Sequence, residues 1–141
     1  MRIMAIDYGD AHTGIAISDP TGLLAGFTTV INSRRQEVVV EQVTLLAKEH
    51  GAEELVLGHP VNMDGTLGPR SEKAKAMKVL LEEATALPVV LWDERRTTID
   101  AHQILMGAGK NAKKRKKTVD AVAATLILEG YLTFRSRPPQ A

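Results

Sequence analysis

The stretch Arg2-Ile3-Met4-Ala5-Ile6-Asp7-Tyr8-Gly9-Asp10-Ala11-His12-Thr13-Gly14-Ile15-Ala16-Ile17-Ser18-Asp19-Pro20 decides the fold. Residues 2–6 form a short apolar run closed by Asp7-Tyr8-Gly9-Asp10, and residues 14–18 form a second one closed by Asp19-Pro20. Two runs of strand length joined by a short connection rich in Gly and Asp predict a β-hairpin. Residues 25–31, after the turn signal Pro20-Thr21-Gly22, predict a third strand. The chain is therefore expected to open with a three-stranded antiparallel meander.

Outward from the meander, helical and strand patterns alternate. Over residues 34–50 the apolar positions Val38, Val39, Val43, Leu45 and Leu46 recur at helical spacing, and Gly51 supplies the stop. Leu55-Val56-Leu57, ended by Gly58-His59-Pro60, predicts a short buried strand. Residues 62–69 read as a loop. Ala74, Met77, Leu81 and Ala84 mark the stripe of a second helix, and Pro88-Val89-Val90-Leu91-Trp92 a fifth strand. A short helix over 98–106 and a last one over 118–132 complete the order β-β-β-α-β-α-β-α-α. A meander followed by β-α units is an α/β architecture, with a mixed five-stranded sheet flanked by helices. One domain over 1–135 is expected, followed by a flexible C-terminal tail over 136–141.

The 141 residues are 44% hydrophobic and 25% charged, enough for a single domain with a substantial core. The absence of cysteine excludes a disulfide framework, a thiolate nucleophile and a zinc ribbon, and suits a reducing cytosol. No segment approaches the roughly 18 to 20 apolar residues that span a bilayer. Asp7 interrupts the first apolar run too soon for a signal-peptide core, so a cytoplasmic protein without a membrane partner is expected. The net charge of +1 conceals an asymmetry: residues 1–92 carry 8 Lys and Arg against 12 Asp and Glu, a net of −4, whereas residues 93–141 carry 10 against 5, a net of +5.

Six of those ten cations are Lys110, Lys113, Lys114, Arg115, Lys116 and Lys117. On a loop entering a helix, such a run suits phosphate contacts that are strong in sum and indifferent to sequence. Asp7, at the end of the first strand with Gly9 and Gly14 leaving open backbone beside it, can hold a hard cation against a phosphate, or simply cap the hairpin turn. Asp93-Glu94 closes the fifth strand. Alternation sends these two carboxylates to opposite faces, so one of them can share a rim with Asp7. Arg95, Arg96, Thr97 and Thr98 follow at once and suit a bound polyanion, although the same residues would also cap a helix. Asp120 stands in the first turn of an otherwise apolar helix, where it must face solvent, cap the N-terminus or meet a charged partner. His12 reads as a loop residue, since no second histidine has ligand spacing. In the Gly- and Pro-rich stretch 58–69, which includes Asn62, backbone amides outside any ladder can receive phosphate or sugar oxygens.

Taken in order, Asp7-Tyr8-Gly9 with Gly14-Ile15-Ala16-Ile17-Ser18-Asp19, the Gly58 to Pro69 segment centred on Asn62-Met63-Asp64-Gly65-Thr66, Trp92-Asp93-Glu94-Arg95 with Thr97-Thr98, and Lys113-Lys114-Arg115-Lys116 with Asp120-Ala121-Val122-Ala123-Ala124 resemble the YqgF/RuvX family. The blocks cover almost the whole chain. The resemblance implies an RNase H-like fold and a metal-dependent endonuclease, either maturing the 5′ end of pre-16S ribosomal RNA or resolving Holliday junctions. It also implies that Asp7, Glu94 and Asp120 are the catalytic, metal-binding acids. Two departures are visible: the family usually has arginine where His12 stands and often an acid where Leu67 stands.

Under that resemblance Asp7, Glu94 and Asp120 would hold Mg²⁺ or Mn²⁺, which take oxygen ligands. Arg95, Arg96, Lys110, Asn62 and the basic residues 113–117 would bind the flanking backbone. The implied partners are precursor rRNA or branched DNA, with the ribosome and a second copy of the chain as further candidates. The chain has only five aromatic residues, of which Trp92 and Phe27 are expected in the core, so recognition by backbone shape and charge is expected rather than base reading. Two rivals remain at this level. One is a non-catalytic nucleic-acid or ribosome-binding module in which the acids are structural. The other is an actin-like ATP-binding domain, because Asp-x-Gly before a hairpin also opens such phosphate loops, although that class needs two domains around its nucleotide.

Overall fold

The computed structural model describes residues 1–21, 25–60, 65–93 and 112–136, without the side chains of 112–121 and 136. The elements are β1 (Arg2–Asp7), β2 (His12–Ser18), β3 (Ala25–Asn32), α1 (Gln36–His50), β4 (Ala52–His59), α2 (Pro69–Thr85), β5 (Val89–Asp93) and α3 (Ala112–Ser136). They build the expected mixed sheet of five strands, in the order β3-β2-β1-β4-β5. The opening meander is antiparallel, with Ile6 opposite Ile15 and Ala16 opposite Thr28, whereas β4 runs parallel to β1 and β5 parallel to β4.

That topology explains where the helices lie. Strand β3 is parallel to β4, so β3-α1-β4 and β4-α2-β5 are both parallel crossovers moving in the same direction across the sheet. Right-handed crossovers of one direction place their helices on one face. Accordingly Met4, Ile6, Ile15, Ile17, Leu55 and Leu57 form one core with Val39 and Val43 of α1 and Met77 and Leu81 of α2. The opposite face, with Ile3, Ala5, Ala16 and Val56, is covered by Ala124, Ile127, Leu128, Tyr131 and Leu132 of α3. Ala5 and Ala16 on the sheet, with Ala123 and Ala124 on the helix, are all buried. Small residues on both sides let α3 approach the strands closely.

Polar groups are satisfied where the ladders break. Pairing shifts register between Arg2 and Ile3 and between Ile17 and Ser18, and there the buried Ser18 hydroxyl accepts a 2.8 Å bond from the Ile3 amide. Helix α1 ends on Gly51 in the left-handed region (φ 67°), with the Gly51 amide donating to the Ala47 and Lys48 carbonyls.

Several expectations need correction. Leu45 and Ala84 are exposed, because Val39, Val43 and Ala47 define the α1 stripe and Ser71, Ala74, Met77 and Leu81 that of α2. Phe27, expected in the core, is exposed on edge strand β3 and lies against His50 with ring centroids 4.5 Å apart. His12 belongs to β2 rather than to the loop, and its Nδ1 is 2.7 Å from Asn32 Oδ1 across the β2/β3 pair. The last helix begins at Ala112, not near Thr118, so the basic residues 113–117 are helical rather than loop, as the high helix propensity of Lys and Arg favours. It also includes Ser136, one residue into the stretch expected as a tail. The expected short helix over 98–106 lies outside the described residues.

Candidate active site

The three parallel strands β1, β4 and β5 end along one edge of the sheet, at Asp7, His59 and Asp93. His59 pairs with Asp93, and Ile6, just before Asp7, pairs with Leu57. From that edge the chain leaves in opposite directions: β1 turns back to β2, whereas β4 continues through α2 to β5. A crevice outside the carboxyl ends of strands at such a switch point is where open sheets bind ligands. The molecule has a shallow, solvent-open cleft here, lined by Tyr8, Gly9, Asp10, Gly58, Pro60, Arg70, Lys73 and Ala74.

The turn that carries Asp7 is sterically defined. A Cβ on Gly9 would run into the carbonyl oxygen of His12, a backbone atom that cannot rotate away. Asp7 itself is half-buried and pairs with Gly14, which holds it at the last rung of the hairpin. Its position alternates with Ile6 and matches Ile3 and Ala5, which places it on the α3 face of the sheet.

The same parity separates the two acids at the end of β5. Val89 and Leu91 pack toward α1 and α2, whereas Trp92 packs under α3, so Asp93 occupies the face opposite to Asp7. Trp92 is held edge-on to Tyr131, with centroids 5.9 Å apart, and it fits because residue 130 is glycine: a Cβ there would stand 3.1 Å from Trp92 Cζ2. Helix α3 carries Asp120 three and four residues before the buried pair Ala123 and Ala124. Its far end is tied to the start of β4, where the Tyr131 hydroxyl donates to Glu54 and Arg135 Nη1 lies 3.2 Å from the same carboxylate.

On the α2 side of the edge, His59 Nε2 lies 2.6 Å from the Oγ of Ser71, a fully buried hydroxyl in the first turn of α2. Lys73 Nζ lies 3.6 Å from Asp10 Oδ1. Burial, and secondarily the Asp10 charge, raises the Tyr8 phenol above its ordinary pKa, which keeps it a hydrogen-bond donor.

Of the residues expected in the site, Asp7 stands on the sheet edge and Asp120 and residues 113–117 lie on the helix covering Asp7's face. Glu94, Arg95, Arg96, Lys110 and Asn62 lie outside the described residues. Among the described residues, to which the side chains of Glu94 and Asp120 do not belong, no three His, Asp or Glu side chains group as metal ligands. Leu67, at the position where the family often has an acid, is exposed. Sequence reasoning missed Arg70 and Lys73 at the cleft. The signal was available: Pro69 is a favoured first helical residue, and a helix starting there puts residues 70 and 73 on one face.

The fold is that of RNase H-like resolvases. Thermus thermophilus RuvC in complex with a Holliday junction substrate superposes with a TM-score of 0.63 at 16% identity, covering 99% of each chain. Fowlpox virus resolvase, solved with Holliday junction DNA, gives 0.61 at 11%, covering 97% of this chain and all of that one. The family model described as "RuvX: Holliday junction resolvase" matches residues 1–134. Among relatives, a Halothermothrix orenii protein is 42% identical over 137 residues, 97% of this chain and 98% of its own. A Clostridium botulinum protein is 45% identical over 132 residues, 94% and 96% respectively. Both carry the name "Putative pre-16S rRNA nuclease". The chain belongs to the RuvX family and is a nuclease acting on phosphodiester bonds. Among the described residues no helix is long and apolar enough to cross a membrane.

Proposed function

We propose that the chain is a metal-dependent endonuclease of structured nucleic acid, acting on the 5′ extension of pre-16S rRNA or on a four-way DNA junction, with Asp7, Glu94 and Asp120 as its catalytic acids. The observation that carries this is the position of Asp7, on the last rung of β1 and on the face covered by α3. Glu94 follows Asp93, so continued strand alternation would return it to Asp7's face. Asp120 extends the stripe of Ala123, Ala124, Ile127 and Tyr131 by one turn. Tyr131 is anchored to Glu54, which pairs beside Ile3. From that anchor, eleven helical residues advance about 16 Å and the four strand steps to Asp7 about 13 Å. The similar advances support placing Asp120 in one set with Asp7.

Three carboxylates with no soft donor fit a hard divalent cation such as Mg²⁺ or Mn²⁺. When bound, such an ion lowers the pKa of water and stabilises the leaving oxygen of an in-line displacement. The chain's own part is to orient its acids, through the hairpin at Asp7, the Trp92 anchor before Glu94 and the sheet-facing stripe of α3. The basic residues 113–117, with Arg95, Arg96, Lys110 and Asn62, hold the flanking backbone, and the unit acts as one cytoplasmic domain over 1–135.

Cleavage of a four-way DNA junction and of a 5′-extended 16S precursor, side by side at matched Mg²⁺ and Mn²⁺, tests the reading. Asp7→Asn, Glu94→Gln and Asp120→Asn should each abolish cleavage while leaving binding largely intact. Full activity in any one of them removes that residue from the set, and cleavage of neither substrate by the parent protein favours the non-catalytic binding module.

A further inference from the structure

The cleft at the switch point holds two cations to which the catalytic set gives no role. Arg70 and Lys73 line it together from one face of α2, with Tyr8, Gly9 and Asp10 of the β1/β2 turn and with Gly58 and Pro60 at the end of β4. The packing of α2 on the sheet is accounted for by Ala74, Met77 and Leu81, so neither cation is needed to dock the helix. Among the described residues Arg70 makes no ion pair. Lys73 reaches Asp10 at 3.6 Å, with both side chains largely exposed, a contact that water and salt screen. The rest of the lining is backbone-rich, with glycine at 9 and 58, and its Tyr8-Gly9-Asp10 part directly follows Asp7 in the chain.

We infer that this cleft is a second phosphate seat: a backbone phosphate of the nucleic acid, displaced along the strand from the one cleaved at Asp7, is held there by Arg70 and Lys73. The inference rests on the nuclease reading and deepens it. Arg70 presents a planar fork of donors that matches two phosphate oxygens. Lys73 exchanges Asp10 for the phosphate, so Asp10 acts as the internal competitor of the ligand. The seat lies on the α2 side of the sheet, whereas residues 113–117 belong to α3 on the other side. A strand held at both places crosses the Asp7 edge from one face of the sheet to the other. Arg70 and Lys73 are therefore positioning residues that fix which phosphodiester reaches the acids.

The test is binding of a labelled four-way junction and of the 16S precursor in the Asp7→Asn background, by fluorescence anisotropy across a salt series. Arg70→Ala and Lys73→Ala should each weaken binding by roughly 3- to 10-fold and flatten the slope of log affinity against log salt by about 0.7 to 1. Lys75→Ala, an equal charge change on the same helix at a residue already paired with Glu72, should change neither. Asp10→Asn should tighten binding, and should not do so once Lys73 is alanine. An uncharged methylphosphonate placed singly along the substrate should weaken the parent at one position outside the scissile bond, and the Arg70→Ala/Lys73→Ala protein not at all at that position. Unchanged affinity and slope in the double variant would overturn the seat alone, as would a loss matched by Lys75→Ala. No binding by the parent overturns the nuclease reading and the seat with it.

Discussion

Replacing Gly9 by alanine adds one methyl group at the point where the β1/β2 turn is tightest. That methyl would overlap the His12 carbonyl oxygen. His12 opens β2, pairs with Asn32 and is bonded to it through the side chain, so relief must come from the turn, moving Tyr8 and the Asp7 rung. Forcing an extra carbon into a packed site costs typically about 1–3 kcal/mol. The reduced freedom of the unfolded chain offsets about 0.4–1 kcal/mol of that. The expected net loss is about 1–2 kcal/mol, a fall of roughly 3–8 °C in Tm for a chain of this size. Gly51→Ala is the matched control: nothing lies within 4 Å of the added carbon, and the cost comes from φ at 67°. It should lose about 1 kcal/mol, yet keep full activity, because Gly51 precedes β4 at the end of the sheet away from Asp7. Urea unfolding followed by the fluorescence of the single Trp, with cleavage measured well below Tm, separates the two. Gly9→Ala with parental stability, or with parental cleavage of both substrates, would refute the steric argument.

Ser18→Ala should leave the buried Ile3 amide without its acceptor and cost about 1–3 kcal/mol, read as a lower urea midpoint at unchanged m-value. Tyr131 gives a pH signature. Burial, then the bond to Glu54 and its charge, push its phenol from 10.0 up to about 12. A raised acid of this kind stabilises the fold fully below pH 10, and that contribution is lost as pH rises from 10 to 12. Tyr131→Phe should therefore flatten the decline in stability over that window, and ultraviolet titration of the phenols should lose its highest step. An unchanged profile would show that Tyr131 does not ionise late.

How much of this was legible before any coordinates follows from the range of the forces involved. Strand and helix periodicity is local, and the two apolar runs at 2–6 and 14–18 with their Asp-x-Gly connection were enough to predict the hairpin, the meander and the mixed sheet. Glycine stops were legible for the same reason, as at Gly51. Leu45 and Ala84 were misassigned because periodicity marks a stripe without saying which of its margins meets the sheet. Phe27 was misassigned because hydrophobicity does not reveal that β3 is an edge strand. The start of the last helix was misplaced because a run of cations reads as a solvated loop, although Lys and Arg are good helix formers.

The candidate site divides along the same line. Asp7, the Asp93-Glu94 pair, Asp120 and the basic run could be singled out from residue type, since carboxylates at strand ends and clustered cations are unusual wherever they fall. The linear sequence alone could not separate Asp93 from Glu94, and it gave no reason to join Arg70 and Lys73 to Tyr8 and Asp10 across some sixty residues. Those relations depend on the parallel pairing of β1 with β4, which creates the switch point and the cleft, and on right-handed crossovers, which send α1 and α2 to one face and leave the other to α3. Sequence by itself determined which elements form and which side chains carry charge, because propensity and periodicity act within a few residues. Only the tertiary structure decided which cations share the cleft with Tyr8 and Asp10 and which faces Asp7 and Asp93 take, because strand order and crossover hand are properties of the whole sheet.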